Sequence, residues 1–165
     1  MSVGFGIIDC GMIAKFHARA IADLDNARLV ACHNRTASKA EALAAEFGGE
    51  VYTDLEQMLA RDDLDIVTIC TASGAHCEPA VAAARAGKHV IVEKPLDVTR
   101  QRCQAMIDAC DAAGVKLATI FPSRFHRSSL LMKQAVEQGR FGRLVLGDAY
   151  VKWFRTQAYY DSGAW

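Results

Sequence analysis

Short apolar runs alternate with longer amphipathic runs along most of the chain. The apolar runs cover residues 3–8, 28–33, 66–70, 89–93 and 117–121, with a weak short one at 51–52. Helical patterns fill the intervals at residues 13–24, 38–47, 55–60, 78–86 and 100–113. Strands that are nearly continuous in apolar residues are covered on both faces. Alternation of strand and helix implies parallel pairing through right-handed crossovers. The expected fold class is therefore α/β: a doubly wound parallel sheet of six strands, with the first strand central and helices on both faces. Thr53 and Glu56 have the spacing of a capping box, and Thr36 and Thr99 are expected N-caps. Gly48, Gly87 and Gly114 stand just past helical runs, where a residue of positive φ is wanted.

The last forty or so residues change character. Residues 128–138 read as a helix and residues 144–155 as one long strand. A lone strand of that length leaves an unpaired edge. Two domains are therefore expected: residues 1–122, and the incomplete start of a second at 123–165. The same unpaired edge predicts pairing between copies, hence a homo-oligomer.

Nineteen basic and nineteen acidic residues balance, which removes the electrostatic footprint of a nucleic-acid or anionic-membrane partner. No apolar run approaches the roughly 20 residues that span a bilayer, and the N-terminus shows no secretory signal pattern. The six cysteines form no CxxC pair, and no histidines stand at zinc spacing. No metal is expected. Reduced core thiols fit a cytoplasmic protein.

The chemistry-bearing motif closest to the N-terminus is the turn after the first strand, Gly6-Ile7-Ile8-Asp9-Cys10-Gly11-Met12-Ile13-Ala14. A dinucleotide-binding turn reads GxGxxG or GxGxxA at this point, with the pyrophosphate on the helix N-terminus. Asp9, Cys10, Gly11, Met12 and Ile13 would line it. Asp9 stands where the first glycine belongs, and its charge is expected to face phosphate oxygens. About 20 residues further on, an acid at the end of the second strand would bind a ribose 2′-hydroxyl and signal NAD. This chain has Asn34 there, followed by Arg35, with Lys39 one turn later. A neutral side chain beside a guanidinium suits a 2′-phosphate, so NADP is expected over NAD.

Three further segments carry a resemblance. Gly11-Met12-Ile13-Ala14-Lys15-Phe16-His17-Ala18, Thr71-Ala72-Ser73-Gly74-Ala75-His76 and Glu93-Lys94-Pro95 resemble the Gfo/Idh/MocA oxidoreductases, the glucose–fructose oxidoreductase and inositol dehydrogenase family. The resemblance implies an N-terminal Rossmann domain, a C-terminal α/β domain with a large open sheet, a bound NAD or NADP, and a sugar, cyclitol or related polyol as substrate. It makes Lys94 the catalytic lysine that contacts nicotinamide ribose and substrate, with Glu93 and Pro95 shaping the nicotinamide pocket. Thr71, Ala72, Ser73 and His76 would border the cofactor, Arg124 would approach it, and Trp165 would open a Trp-Arg pair near it. The Asp and His that the family uses for proton transfer match no segment of this chain. A fragment that lacks the full catalytic set is expected. The alternative is a non-catalytic dinucleotide-binding module or sensor, which Asp9 and the expected truncation favour and the intact Glu93-Lys94-Pro95 disfavours.

Overall fold

The structure of the protein, a computed structural model, describes residues 2–161. It divides into two units, one ending at Ile120 and one beginning at Phe121. The first contains strands β1 (Val3–Ile8), β2 (Ala27–His33), β3 (Glu50–Tyr52), β4 (Ile66–Ile69), β5 (His89–Val92) and β6 (Leu117–Thr119). They form one sheet in the order β3-β2-β1-β4-β5-β6, with every neighbouring pair parallel. The strand order reverses between β1 and β4, the position at which open α/β sheets leave a ligand crevice beyond their C-terminal ends.

Five helices connect the strands: α1 (Met12–Ala22), α2 (Ala37–Phe47), α3 (Leu55–Leu59), α4 (Cys77–Arg85) and α5 (Arg100–Ala113). Successive side chains of a strand point to opposite faces, so Ile7 and Ile8 feed two separate cores. Ile7 packs with Ala14, Ala18 and Ile21 of α1 and Leu43 of α2. Ile8 packs in the cluster that holds Met58 of α3, Ala80 and Ala83 of α4, and Met106 of α5. Full burial of an Ile or Leu side chain contributes about 1.5–3 kcal/mol. Helices therefore cover both faces, as the near-continuous apolar strands require. Gly4 allows a close approach within this layer: a Cβ there would lie 1.8 Å from the carbonyl oxygen of Asp63.

Local punctuation follows the sequence with one correction. Gly48, Gly87 and Gly114 take φ values of 81°, 73° and 67°. Thr99 caps α5 by accepting from Arg102 N, and Thr36 occupies the N-cap of α2 without a side-chain bond. The cap of α3 is Asp54, whose Oδ1 accepts from Glu56 N and Gln57 N at 2.8 and 3.2 Å. The Thr53–Glu56 capping box does not form, because the carboxylate one residue later reaches both orphan donors.

The second unit contains a 3-10 turn, Pro122–Phe125, and helices α6 (Arg127–Glu137) and α7 (Gln157–Asp161). The strand expected at 144–155 does not form. That stretch pairs with nothing among the described residues, and Val145, Leu146, Tyr150, Trp153 and Phe154 are exposed. Its apolar sequence supplies strand propensity, but a strand exists only through a ladder partner, and this unit has no other strand among the described residues. No described helix is long and apolar enough to cross a membrane, and the described residues contain no cluster of three His, Cys, Asp or Glu arranged for a metal ion.

Candidate cofactor-binding site

The turn after β1 is built around Asp9. It has φ 69°, the only non-glycine residue of positive φ among the described residues. Aspartate tolerates this left-handed region better than most side chains. Asp9 N donates to His33 O at 2.9 Å and ties the turn to β2. Gly11 then starts α1 as its N-cap, with no side chain to cap the helix. Ala14 N donates to Gly11 O at 3.2 Å, and among the described residues Met12 N and Ile13 N have no acceptor. A Cβ built on Gly11 meets nothing within 4 Å. Unpaired N–H groups, the positive end of a helix and an open backbone cradle together fit an anionic group such as a pyrophosphate.

Beside the turn lies a cleft of about 450 Å³ lined by Ile8, Asp9, His33, Asn34, Arg35, Thr36, Lys39, Leu55, Thr71, Ala72, Ala75, Glu78 and Pro79. The Asn34 side chain is fixed at both ends. Its Nδ2 donates to Asp9 Oδ1 at 2.8 Å, and its Oδ1 accepts from Thr36 N at 2.9 Å. The Asp9 carboxylate is thus turned toward the end of β2, where the sequence reading had it facing phosphate oxygens. Arg35 and Lys39 are exposed and form no ion pair among the described residues. His33 is buried, and its Nδ1 has no hydrogen-bond partner among the described residues. Burial pushes the His33 pKa below its usual value. A backbone hydrogen bond at Thr53 raises it by less than burial lowers it.

The opposite side of the switch point carries the Glu93-Lys94-Pro95 turn after β5. Glu93 is buried. Its Oε1 lies 3.0 Å from His17 Nε2, and its Oε2 accepts from Lys94 N at 3.0 Å. His17 Nδ1 in turn lies 2.8 Å from Thr68 Oγ1 on β4. Lys94 is exposed, and its ammonium has no ion-pair partner among the described residues. The Lys94–Pro95 peptide is cis.

A second set of contacts holds this turn to the loop after β4. His76 is buried, with Nδ1 at 2.9 Å from Pro95 O and Nε2 at 3.0 Å from Thr71 O. The buried Asp97 accepts from Cys77 N at 3.1 Å, Val98 N at 2.7 Å and Arg102 Nε at 2.8 Å. Burial pushes its pKa up, and Arg102 with the two backbone N–H groups overrides this and holds the carboxyl below its usual range. Arg102 also reaches Gly74 O at 2.9 Å and Glu78 Oε2 at 2.6 Å.

Asp9, Asn34, Arg35, Lys39, Thr71 and Ala72 line one cleft, with Gly11 in the adjoining turn and Ser73 exposed in the loop after β4. Met12 and Ile13 stand exposed on the first turn of α1, while the Cys10 thiol turns back to His33 O at 3.5 Å. Lys94 and Pro95 stand exposed beside the buried Glu93. His76 braces two loops from inside, because both of its ring nitrogens face backbone carbonyls. It is not a lining residue of the cleft. Arg124 belongs to the second unit, with its guanidinium 4.6 Å from the Phe121 ring centroid. Trp165 lies outside the described residues. Sequence reasoning did not find His33 as a cleft wall or Thr68 as the partner of His17. A histidine ending a strand and a threonine inside one are ordinary core residues until the cleft is seen.

Comparison with known proteins agrees with this geometry. The model of the Gfo/Idh/MocA family, described as an oxidoreductase family with an NAD-binding Rossmann fold, matches residues 3–121. An inositol 2-dehydrogenase of Rhizobium meliloti is 35% identical over 144 residues, which is 87% of this chain and 43% of that protein. The WlbA dehydrogenase of Bordetella pertussis, solved with NADH and UDP-GlcNAcA, superimposes with a TM-score of 0.90 at 37% identity, over 99% of this chain and 50% of that one. The scyllo-inositol dehydrogenase of Lactobacillus casei, solved with NAD(H) and scyllo-inositol, gives 0.79 at 30% identity over 86% of this chain and 43% of that one. The chain spans less than half the length of the curated relatives it matches. By the match over residues 3–121, on a parallel six-stranded sheet, this chain belongs to the Gfo/Idh/MocA oxidoreductase family.

Proposed function

We propose that this chain is the cofactor-binding half of an NAD(P)-dependent dehydrogenase that acts on a CH–OH group of a sugar, cyclitol or related polyol. The carrying observation is Lys94. Its neighbour Glu93 is buried and occupied by His17 and by a backbone N–H, so the Lys94 ammonium has no ion-pair partner among the described residues at the C-terminal edge of the sheet. Gly11 and the first N–H groups of α1 would hold the pyrophosphate, and Asp9, His33, Asn34, Arg35 and Lys39 the adenosine. When bound, the nicotinamide supplies hydride transfer to or from the substrate carbon. Lys94 donates a hydrogen bond to the substrate oxygen on that carbon and stabilises negative charge there.

The finer readings rest on fewer observations. Arg35 and Lys39 line the cleft and support a 2′-phosphate, hence NADP(H), while Asp9 lines it too and opposes one. The exposed apolar side chains of residues 144–155 support a longer polypeptide or a homo-oligomer that covers them. A cytoplasmic site fits the free cysteines. A second reading, a dinucleotide-binding module without turnover, is favoured by Asp9 in the glycine position of the turn. The two are separated by an assay of polyol-dependent NAD(P) reduction in the longest chain that the gene encodes. The dehydrogenase reading expects turnover that falls about 100-fold or more in Lys94→Ala with NADH binding retained. Cofactor binding without turnover on any polyol would favour the module.

A further inference from the structure

The cleft holds two opposed electrostatic features, and their difference in rigidity decides between them. Arg35 and Lys39 are exposed, with no partner among the described residues to fix them. Water screens such cations, and ordering their long side chains costs entropy. The Asp9 carboxylate is fixed twice: by the left-handed backbone at φ 69°, and by Asn34 Nδ2 at 2.8 Å. Asn34 is itself fixed through Thr36 N at 2.9 Å, so its amide cannot turn over without breaking that bond.

We propose that Asp9, held by Asn34, is the acceptor for the adenosine ribose hydroxyls and makes the site selective for NAD(H) over NADP(H). This rests on the reading of the cleft as a dinucleotide site. The Asp9 Oδ2 atom has no donor among the described residues, and Asn34 Nδ2 keeps one N–H beyond the one given to Asp9. One carboxylate acceptor beside one amide donor matches a vicinal diol, in which each hydroxyl donates and accepts. It mismatches a phosphate dianion, which only accepts and carries the same sign of charge as Asp9. The acid that a NAD site usually places at the end of β2 is thus supplied from the end of β1, across the strand pair in which Ile8 lies opposite His33. The expectation of NADP(H) from Asn34 and Arg35 alone leaves out this displaced carboxylate.

The test is calorimetric titration of the 165-residue protein and its Asp9→Asn and Asp9→Gly variants with NADH and with NADPH, with circular dichroism to confirm folding. Asparagine keeps the left-handed backbone and the hydrogen bond while removing the charge. The proposal expects NADH to bind at least tenfold more tightly than NADPH, and this ratio to fall at least tenfold in Asp9→Asn. A ratio near or below one in the unaltered protein, or a ratio unchanged in Asp9→Asn, overturns it. Binding that appears only in Asp9→Gly would make Asp9 an obstruction, which overturns the proposal and leaves the dinucleotide reading standing. Failure of all three folded proteins to bind either cofactor would defeat that reading itself, and the proposal with it.

Discussion

His17 of α1 and Glu93 at the end of β5 are joined at 3.0 Å between Nε2 and Oε1, 76 residues apart in the chain. Through this contact the first helix holds the carboxylate whose other oxygen accepts from Lys94 N. The geometry of the lysine turn therefore depends on a residue of α1. His17→Ala leaves a buried acceptor without its donor, at a cost of about 1–3 kcal/mol. Thermal unfolding should show the loss. His17→Asn, which can still donate to Glu93, should recover part of it. An unchanged melting temperature in His17→Ala would show that water replaces the imidazole.

Arg35→Ala should weaken NADPH more than NADH, since only NADPH carries the 2′-phosphate that a guanidinium would meet. This holds whichever cofactor the unaltered protein prefers. Titrations at two salt concentrations check it: the effect on NADPH should shrink as salt rises. Equal losses for both cofactors would place Arg35 on a part of the molecule that they share.

The buried His33 predicts an acid-side loss of stability. Burial holds its folded pKa below the ordinary histidine value of about 6.5, so the unfolded chain binds more protons as the pH falls through that value. Stability contributed by the neutral ring is present above about pH 6.5 and is lost as the pH drops toward the folded pKa. Urea unfolding at pH 7.5 and 5.5 measures it. His33→Gln should flatten the difference, and an equally steep difference in that variant would assign the loss to other groups.

The Cys70 thiol, pushed up to about 12 by burial, should stay protonated at pH 8. Native protein should then leave Cys70 unmodified by a maleimide while the unfolded chain reacts, which peptide mass spectrometry reads directly. Rapid native labelling of Cys70 would mean that the core around Ile7 and Ala14 opens readily.

The sheet was legible because its signal is local and repeated. Each strand is a short apolar run, and each crossover has its own helical period. The turn at residues 9–13 and the Glu93-Lys94-Pro95 turn were legible as contiguous motifs. Three features were not. Asp54 caps α3 in place of Thr53, a choice between adjacent acceptors that only backbone geometry decides. Residues 144–155 have strand propensity without a partner, and propensity alone makes no ladder. The bonds of Asn34 to Asp9, of His17 to Thr68 and of His76 to Pro95 join residues far apart in sequence, so no local pattern announces them.

The central claim is that the turn before α1 receives a dinucleotide. Gly11 tests it most directly, because its backbone, at φ −80°, is open to any residue, and a Cβ there meets nothing within 4 Å. Gly11→Leu should therefore keep the melting temperature of the unaltered protein while filling the cradle. Titration with NADH, followed by fluorescence, should show saturable binding of one molecule per chain in the unaltered protein and at least about a tenfold loss of affinity in Gly11→Leu, equivalent to roughly 1.4 kcal/mol. Equal NADH affinity in the two proteins, or no binding to the unaltered one, would contradict the account.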